Sequence, residues 1–231
     1  MAAAKVMLNE VHKDLPVQQR DQNSYILRSI RDHNIIIASL PRSNYSIISA
    51  ATVATQLSSF RSIRFSLMVS IGGGIPSSDA DIQLGDMVVS KPTDAYGGVV
   101  QYDYGKLLTG GKFERSSMLN HPPQIILTAL SKLQAKHLTK ESNIVDFIAE
   151  IPKKKIPKKV MEFARPTQED FLYQPAYNHM DTDFPICTPC DSSKVVSRPS
   201  RYHNKPVIHY GLIASASQLR VRLSHKLGPS V

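Results

Sequence analysis

Three consecutive glycines, Gly72, Gly73 and Gly74, are the residues of this sequence best suited to line a ligand site. Glycine has no Cβ, so a turn built from glycines lets the backbone approach a bound molecule closely. The apolar run before them, residues 63–70, is typical of a buried strand. The sequence therefore predicts a ligand-lining turn at the C-terminal end of a core strand. A tight turn that binds nothing is the alternative.

Three aspartates follow the glycines, at positions 79, 81 and 86. Clustered carboxylates are typical oxygen ligands for a hard cation, so this spacing suggests a cation site. The alternative is structural: Asp86 directly precedes the β-rich residues 87–90 and would hold the turn before that strand. We favour the structural interpretation and predict no metal site here.

Cys187 and Cys190 form a C-x-x-C pair. A structural zinc site needs two further ligands at regular spacing, and His179, His203 and His209 are irregularly placed. A redox C-x-x-C would open a helix after a strand, whereas prolines surround this pair. We therefore expect neither zinc nor redox chemistry.

The whole chain has a net charge of +9, and the positive charge is concentrated in its second part. Residues 151–231 contain 13 Lys and Arg against 6 Asp and Glu, including the run of five lysines between positions 153 and 159. Such a run is usually a solvated loop, but it also suits docking to an acidic partner. No aromatic residue interleaves these lysines, so nucleic acid is not the expected partner.

The elements that position these residues alternate between strand and helix. Residues 24–29 and 34–40 predict a hairpin, and residues 2–13 predict the tail of a helix. Residues 46–58 predict a helix whose small side chains permit close packing on a sheet: Ala50, Ala51 and Ala54. Further along, the pattern predicts strands over 87–90 and 99–104, helices over 122–136 and 142–151, and a strand over 207–215. The strand over 99–104 either continues the sheet or forms a hairpin with the strand over 87–90.

The alternation indicates one α/β domain over residues 1–231, interrupted at about 152–206 by an irregular insertion rich in Pro and Lys. Hydrophobic residues make up 42% of the chain and charged residues 20%, which excludes a disordered composition. No stretch approaches the ~20 apolar residues of a membrane span, and no export signal is evident, so we expect a cytoplasmic protein without a membrane partner.

Four segments in order resemble the nucleoside phosphorylase and nucleosidase superfamily: LMVSIGGGIP (67–76), LGDMVVS (84–90), QYDYGK (101–106) and HYGLIAS (209–215). The likeness covers about residues 2–220. It is closest to the phosphorylase-like domains at the N-terminus of fungal NLR-like proteins that carry NTPase and ankyrin-type repeat regions. The resemblance implies a three-layer α/β/α sandwich with a mixed sheet, here incomplete. Enzymes of that superfamily act in nucleoside metabolism and cleave the N-glycosidic bond by glycosyl transfer to phosphate or water.

The resemblance also implies which residues line the nucleoside site. Ile71 and the glycines 72–74 would lie against ribose and base, and Leu219 would flank the base where nucleosidases carry an aromatic residue. Ser46 would help to bind phosphate at the start of a helix, although a plain N-cap is the alternative. Phosphorylases of the superfamily carry a phosphate-anchoring arginine at the position that Met68 occupies here. Relatives usually carry glycine at the position of Ser70. We expect no cofactor, with phosphate as the only candidate co-substrate.

The family's ribose-binding carboxylate and catalytic acid lie beyond the strand at 207–215, and its first strand precedes the helix at 2–13. This sequence has no Asp or Glu after Asp191. Since stabilising the departing base needs that acid, we assign no catalytic residue and expect a degenerate domain, truncated at both ends, with weak nucleoside or nucleobase binding. The alternatives are a fragment of an active enzyme and an interaction module with a basic docking loop. The family forms homo-oligomers, which is the expectation here.

Overall fold

The computed structural model describes residues 8, 12–13, 21, 23–41, 47–116, 119–140, 142–149, 170–177, 190–203 and 205–216. The chain divides into two compact units. The first comprises Met1–Ile71 and Pro122–Ala164, and the second comprises Gly72–His121 and Arg165–Val231. None of the described helices is both long and apolar enough to cross a bilayer.

The first unit contains the predicted hairpin. Strand β1 (Tyr25–Ile30) pairs antiparallel with β2 (His33–Ala38), with Tyr25 opposite Ala38 and Ile30 opposite His33. The two-residue connection requires a left-handed backbone at Arg31, whose φ is 50°. This confirms the predicted hairpin.

Among the described residues of the same unit, three helices follow: α1 (Ile47–Leu57), α2 (Gln124–Thr139) and α3 (Ile144–Ala149). Helices α1 and α3 fall within their predicted ranges, whereas α2 begins directly after its proline pair and continues beyond the predicted end at residue 136. The close packing predicted for the alanines of α1 is wrong, because Ala51 and Ala54 are exposed. Ser49 and Val53 are buried instead. These two residues are four apart and therefore share one face of the helix.

The predicted strand over 63–70 is wrong in the described structure. Residues 64–71 are exposed and form no strand, with Met68 at 84% exposure and Val69 at 92%. A β-rich composition favours a strand only when a neighbouring strand supplies hydrogen bonds. Among the described residues, none pairs with this segment.

The described residues of the second unit form six strands. They are β3 (Met87–Ser90), β4 (Val99–Gln101), β5 (Gly105–Leu107), β6 (Phe113–Arg115), β7 (Ile208–Gly211) and β8 (Ile213–Ser215). Strands β5 and β6 form an antiparallel hairpin that the sequence did not predict. The strand predicted over 207–215 is divided at Leu212, because β7 and β8 pair with different partners. Strand β4 neither continues from β3 nor pairs with it, because it pairs with β8.

The described residues form four two-stranded sheets. The three-layer sandwich therefore stays a prediction. Most of the predicted helix over 2–13 lies outside the described residues. Within the predicted insertion, described residues form a 3₁₀ helix (Ser192–Lys194) and a bridge between Tyr173 and Val195.

Candidate functional site

Two of the sequence segments, LGDMVVS and HYGLIAS, are neighbours in the structure. Strands β3 and β7 are parallel, with Met87 opposite Ile208 and Ser90 opposite Gly211. The Met87 amide donates to the Val207 carbonyl at 2.9 Å, which begins the ladder. Parallel strands need a long connection, and this pairing joins residues about 120 positions apart in the chain.

A third segment, QYDYGK, also contacts the HYGLIAS segment. Strand β4 runs parallel to β8, and Gln101 at the start of the segment lies opposite Ser215. The Tyr102 amide donates to the Ser215 carbonyl at 3.1 Å. Tertiary structure therefore brings three of the four segments together through two parallel pairings.

The side chain of Asp86 is fully buried at the start of β3. Its Oδ2 accepts a hydrogen bond from the Gln83 amide at 2.8 Å, and its Oδ1 accepts one from the Val207 amide at 3.0 Å. Nε2 of His209 lies 3.1 Å from Oδ2. These bonds confirm that Asp86 holds the turn before the strand. They also connect that turn to β7.

Arg201 supplies the counter-charge for Asp86. Its Nη1 lies 2.9 Å from Oδ1 and its Nη2 lies 2.7 Å from Oδ2, a bidentate geometry. Burial opposes ionisation of Asp86, but the hydrogen bonds from Arg201, Val207, Gln83 and His209 outweigh that effect. They hold the pKa of Asp86 far below its ordinary value.

A second arginine extends this network along the loop at 81–86. Arg198 lies 3.3 Å from the Asp81 carboxylate and 3.2 Å from that of Asp170. Asp170 also accepts the Leu84 amide at 2.9 Å, and Arg201 donates to the Asp81 carbonyl. We call Asp81, Asp86, Asp170, Arg198 and Arg201 the arginine clamp. It fastens the loop to residues more than 80 positions further along the chain.

The clamp accounts for two of the three aspartates in the cluster. Asp81 and Asp86 bind arginines, and the Asp79 carboxylate accepts the Ser78 hydroxyl at 3.2 Å. Within the described ranges, no group of three or more His, Cys, Asp or Glu side chains is placed to hold a metal. Arginine side chains therefore balance the charges of Asp81 and Asp86, in agreement with the structural interpretation of Asp86.

The glycine turn has an open face. A Cβ added at Gly72 or Gly73 would have no atom within 4 Å, whereas one added at Gly74 would lie 2.7 Å from Cγ2 of Ile82. Gly74 therefore packs against the loop that the clamp fastens. Ile71 is 99% exposed.

Several predicted residues lie outside the described part of the chain. They are Ser46, Leu219, His179, Cys187 and the lysines between 153 and 159. Of the other residues considered for zinc, Cys190 is a free thiol and His209 contacts Asp86. The binding roles predicted for Ser46 and Leu219 stay predictions.

The arginine clamp was not predicted from the sequence. Arg198 and Arg201 are spaced three apart before the strand predicted over 207–215, and Asp86 directly precedes the strand predicted over 87–90. That combination is the local signal from which an ion pair could have been inferred. Asp170 lies in no comparable pattern, because its contacts depend entirely on the tertiary structure.

Comparison with known proteins finds similarity to an NLR-like protein. No model of a protein family matches the chain, and no solved structure matches it. Over 222 residues, which are 95% of this chain, it is 40% identical to a nucleotide-binding leucine-rich repeat (NLR)-like protein of Hyaloscypha variabilis. The match covers 21% of that protein, so the chain spans about a fifth of its length. The chain is thus similar, over nearly all of its residues, to one part of an NLR-like protein.

Proposed function

We propose that this chain is a nucleoside phosphorylase-type domain that binds a purine nucleoside or nucleobase, as the ligand-recognition part of an NLR-like protein. The single observation that carries the proposal is the parallel pairing of β3 with β7 and of β4 with β8. It brings together three segments that resemble that superfamily. The three-layer α/β/α sandwich and a cytoplasmic location belong to the same proposal.

The open glycine turn is the proposed binding surface. Gly72 and Gly73 leave space above the backbone that any side chain would fill. The binding roles that the resemblance implies for Ile71, Leu219 and Ser46 belong to the same proposal. The similarity to an NLR-like protein supports a recognition role, because a domain within such a protein can act by binding a ligand alone.

Isothermal titration calorimetry of the full chain with adenosine, inosine and methylthioadenosine tests the binding. We expect heat of binding for at least one of them at micromolar to millimolar concentration. Gly72→Val should weaken that binding, because the new side chain projects into the open space. Ser59→Val, an exposed change on a different segment, serves as the control. The absence of heat for all three ligands would refute the proposal.

Release of free base from the same nucleosides, with and without phosphate, tests for chemistry. Release that depends on phosphate would identify a phosphorylase, and release without phosphate would identify a nucleosidase. Binding without release would identify a domain that only recognises its ligand. Size-exclusion chromatography of the same sample tests the expected homo-oligomer.

A further inference from the structure

One segment of the first unit has the properties of a strand without a partner. Residues 65–71 (FSLMVSI) are all exposed, with 92% exposure at Val69 and 99% at Ile71. Within the part of the chain that the structure describes, no backbone group of this segment bonds to another backbone group. A row of unpaired backbone donors and acceptors is a template for pairing with another chain.

The 65–71 segment alternates in the way that a half-buried strand does. In a strand, successive side chains point to opposite faces. One face of a strand formed here would carry only apolar side chains: Phe65, Leu67, Val69 and Ile71. The other face would carry Met68 between two serines. Such alternation is typical of a strand that has one face covered, yet these apolar side chains are exposed.

The residue types of the segment follow the same order in both directions from Met68. On each side comes an apolar residue, then a serine, then a second apolar residue. A second copy running antiparallel, with Met68 opposite Met68, therefore pairs like with like. The pairs are Leu67 with Val69, Ser66 with Ser70, and Phe65 with Ile71. Matched cross-strand pairs stabilise a sheet, and a two-fold interface requires this kind of self-complementarity.

Charge favours the antiparallel arrangement over a parallel one. Arg64 is the only charged residue between positions 62 and 71. In a parallel pair in register, the two Arg64 side chains would lie opposite each other and repel. In the antiparallel pair they lie eight residues apart, about 27 Å, which exceeds the Debye length of about 8 Å at physiological ionic strength. A register shifted by two residues would place serine opposite Met68, so the centred register fits best.

We propose that residues 65–71 pair antiparallel with the same segment of a second copy of this chain, with Met68 on the two-fold axis. The pairing supplies backbone hydrogen bonds to a segment that has none within the described structure, and it brings the apolar side chains of both copies side by side. A single strand pair is smaller than a standard interface, so dimerisation should depend on protein concentration. The proposal gives the homo-oligomer of the proposed function a specific surface and does not depend on nucleoside binding.

Disulfide cross-linking of the full chain tests the register, after Cys187 and Cys190 are replaced by serine. Met68→Cys places two thiols opposite each other within reach of a disulfide, so mild oxidation should give a covalent dimer. Ser66→Cys is the matched control, because its two copies lie four residues apart, about 14 Å, and should not link. Adding Ser70→Cys to Ser66→Cys should restore the link.

Sedimentation velocity from micromolar to millimolar protein measures the dimerisation itself. Leu67→Lys should weaken it about 10-fold or more, because an ammonium replaces an apolar side chain between the two strands. Leu138→Lys is the matched control: it changes a leucine on α2 that is 88% exposed, and it should leave dimerisation unchanged. Leu67 is itself 70% exposed, so the variant should fold, which circular dichroism checks.

Three results would overturn the proposal. They are a chain that stays monomeric at millimolar concentration, equal cross-linking of Met68→Cys and Ser66→Cys, and equal dimerisation of the wild type and Leu67→Lys. Equal cross-linking would indicate a parallel stack of many copies, which a segment of low charge without proline also permits. A dimer unaffected by Leu67→Lys would keep the homo-oligomer but place its interface elsewhere.

Discussion

Arg201 donates hydrogen bonds to both oxygens of the buried Asp86 carboxylate, with Nη1 2.9 Å from Oδ1 and Nη2 2.7 Å from Oδ2. This pair joins the turn before β3 to the chain that leads into β7. The same carboxylate accepts the Val207 amide, one residue before β7 begins. The ion pair and the parallel strand pairing therefore form one structural unit, from which the first two predictions follow.

Arg201→Gln should destabilise the protein strongly. Removing one partner of a buried pair leaves the other charge uncompensated, which typically costs about 3 kcal/mol or more. Urea denaturation at neutral pH measures the change. Arg64→Gln, which removes an exposed guanidinium, should shift the free energy of unfolding by less than about 0.5 kcal/mol. Equal effects of the two substitutions would show that the pair does not stabilise the fold.

Acid should remove the stabilisation that Asp86 provides. The pKa of Asp86 is lower in the folded protein than in the unfolded chain, so its contribution is complete above the unfolded value of about 4 and declines as pH falls below it. Asp86→Asn should be less stable than the wild type at neutral pH, and the difference should narrow below pH of about 4. Urea denaturation across that pH range is the measurement. A difference that stays constant with pH would contradict this prediction.

Gly74→Ala and Gly72→Ala should differ in their effect on stability. The Cβ at position 74 would lie 2.7 Å from Cγ2 of Ile82, so Ile82 must move, whereas the Cβ at position 72 meets open space. Thermal denaturation should therefore show a lower midpoint for Gly74→Ala and little change for Gly72→Ala. The reverse order would mean that the turn is arranged differently.

Gly98→Ala should be more damaging than Gly110→Ala. Both glycines have positive φ, 103° and 87°, so alanine costs about 1 kcal/mol in backbone strain at either position. Only at Gly98 would the new Cβ also collide with a side chain, the hydroxyl of Ser90 on β3. Chemical denaturation of both variants separates the shared strain from the collision. Matching losses would argue against the close approach of Gly98 to β3.

Tyr25→Phe tests the anchoring of the hairpin in the first unit. The Tyr25 hydroxyl donates to Asp21 at 2.8 Å and accepts from Asn23 at 3.1 Å, while its ring meets Phe60 edge-on at 5.0 Å. The substitution keeps the ring contact and removes the hydrogen bonds, so we expect a loss of about 1 kcal/mol in urea denaturation. A loss as large as that of Tyr25→Ala would mean that the hydroxyl, not the ring, provides most of the stabilisation.

Local patterns were sufficient for elements whose hydrogen bonds lie within a short stretch of chain. The hairpin of β1 and β2 and the helices α1 and α2 were predicted because turn residues and apolar spacing specify them locally. The run at 63–70 had an equally strong β-rich composition, yet it forms no strand in the described structure. Strand formation depends on a partner elsewhere in the chain, which a local pattern does not reveal.

The amino-acid sequence by itself determined the hairpin of β1 and β2, the three described helices of the first unit, and the role of Asp86 in holding a turn. Tertiary structure decided that β3 pairs with β7, that β4 pairs with β8, and that Arg201 neutralises Asp86. The physical reason is the distance along the chain over which each kind of interaction acts. Backbone preferences and apolar periodicity act over a few residues, whereas parallel pairing and buried ion pairs join groups more than 100 positions apart.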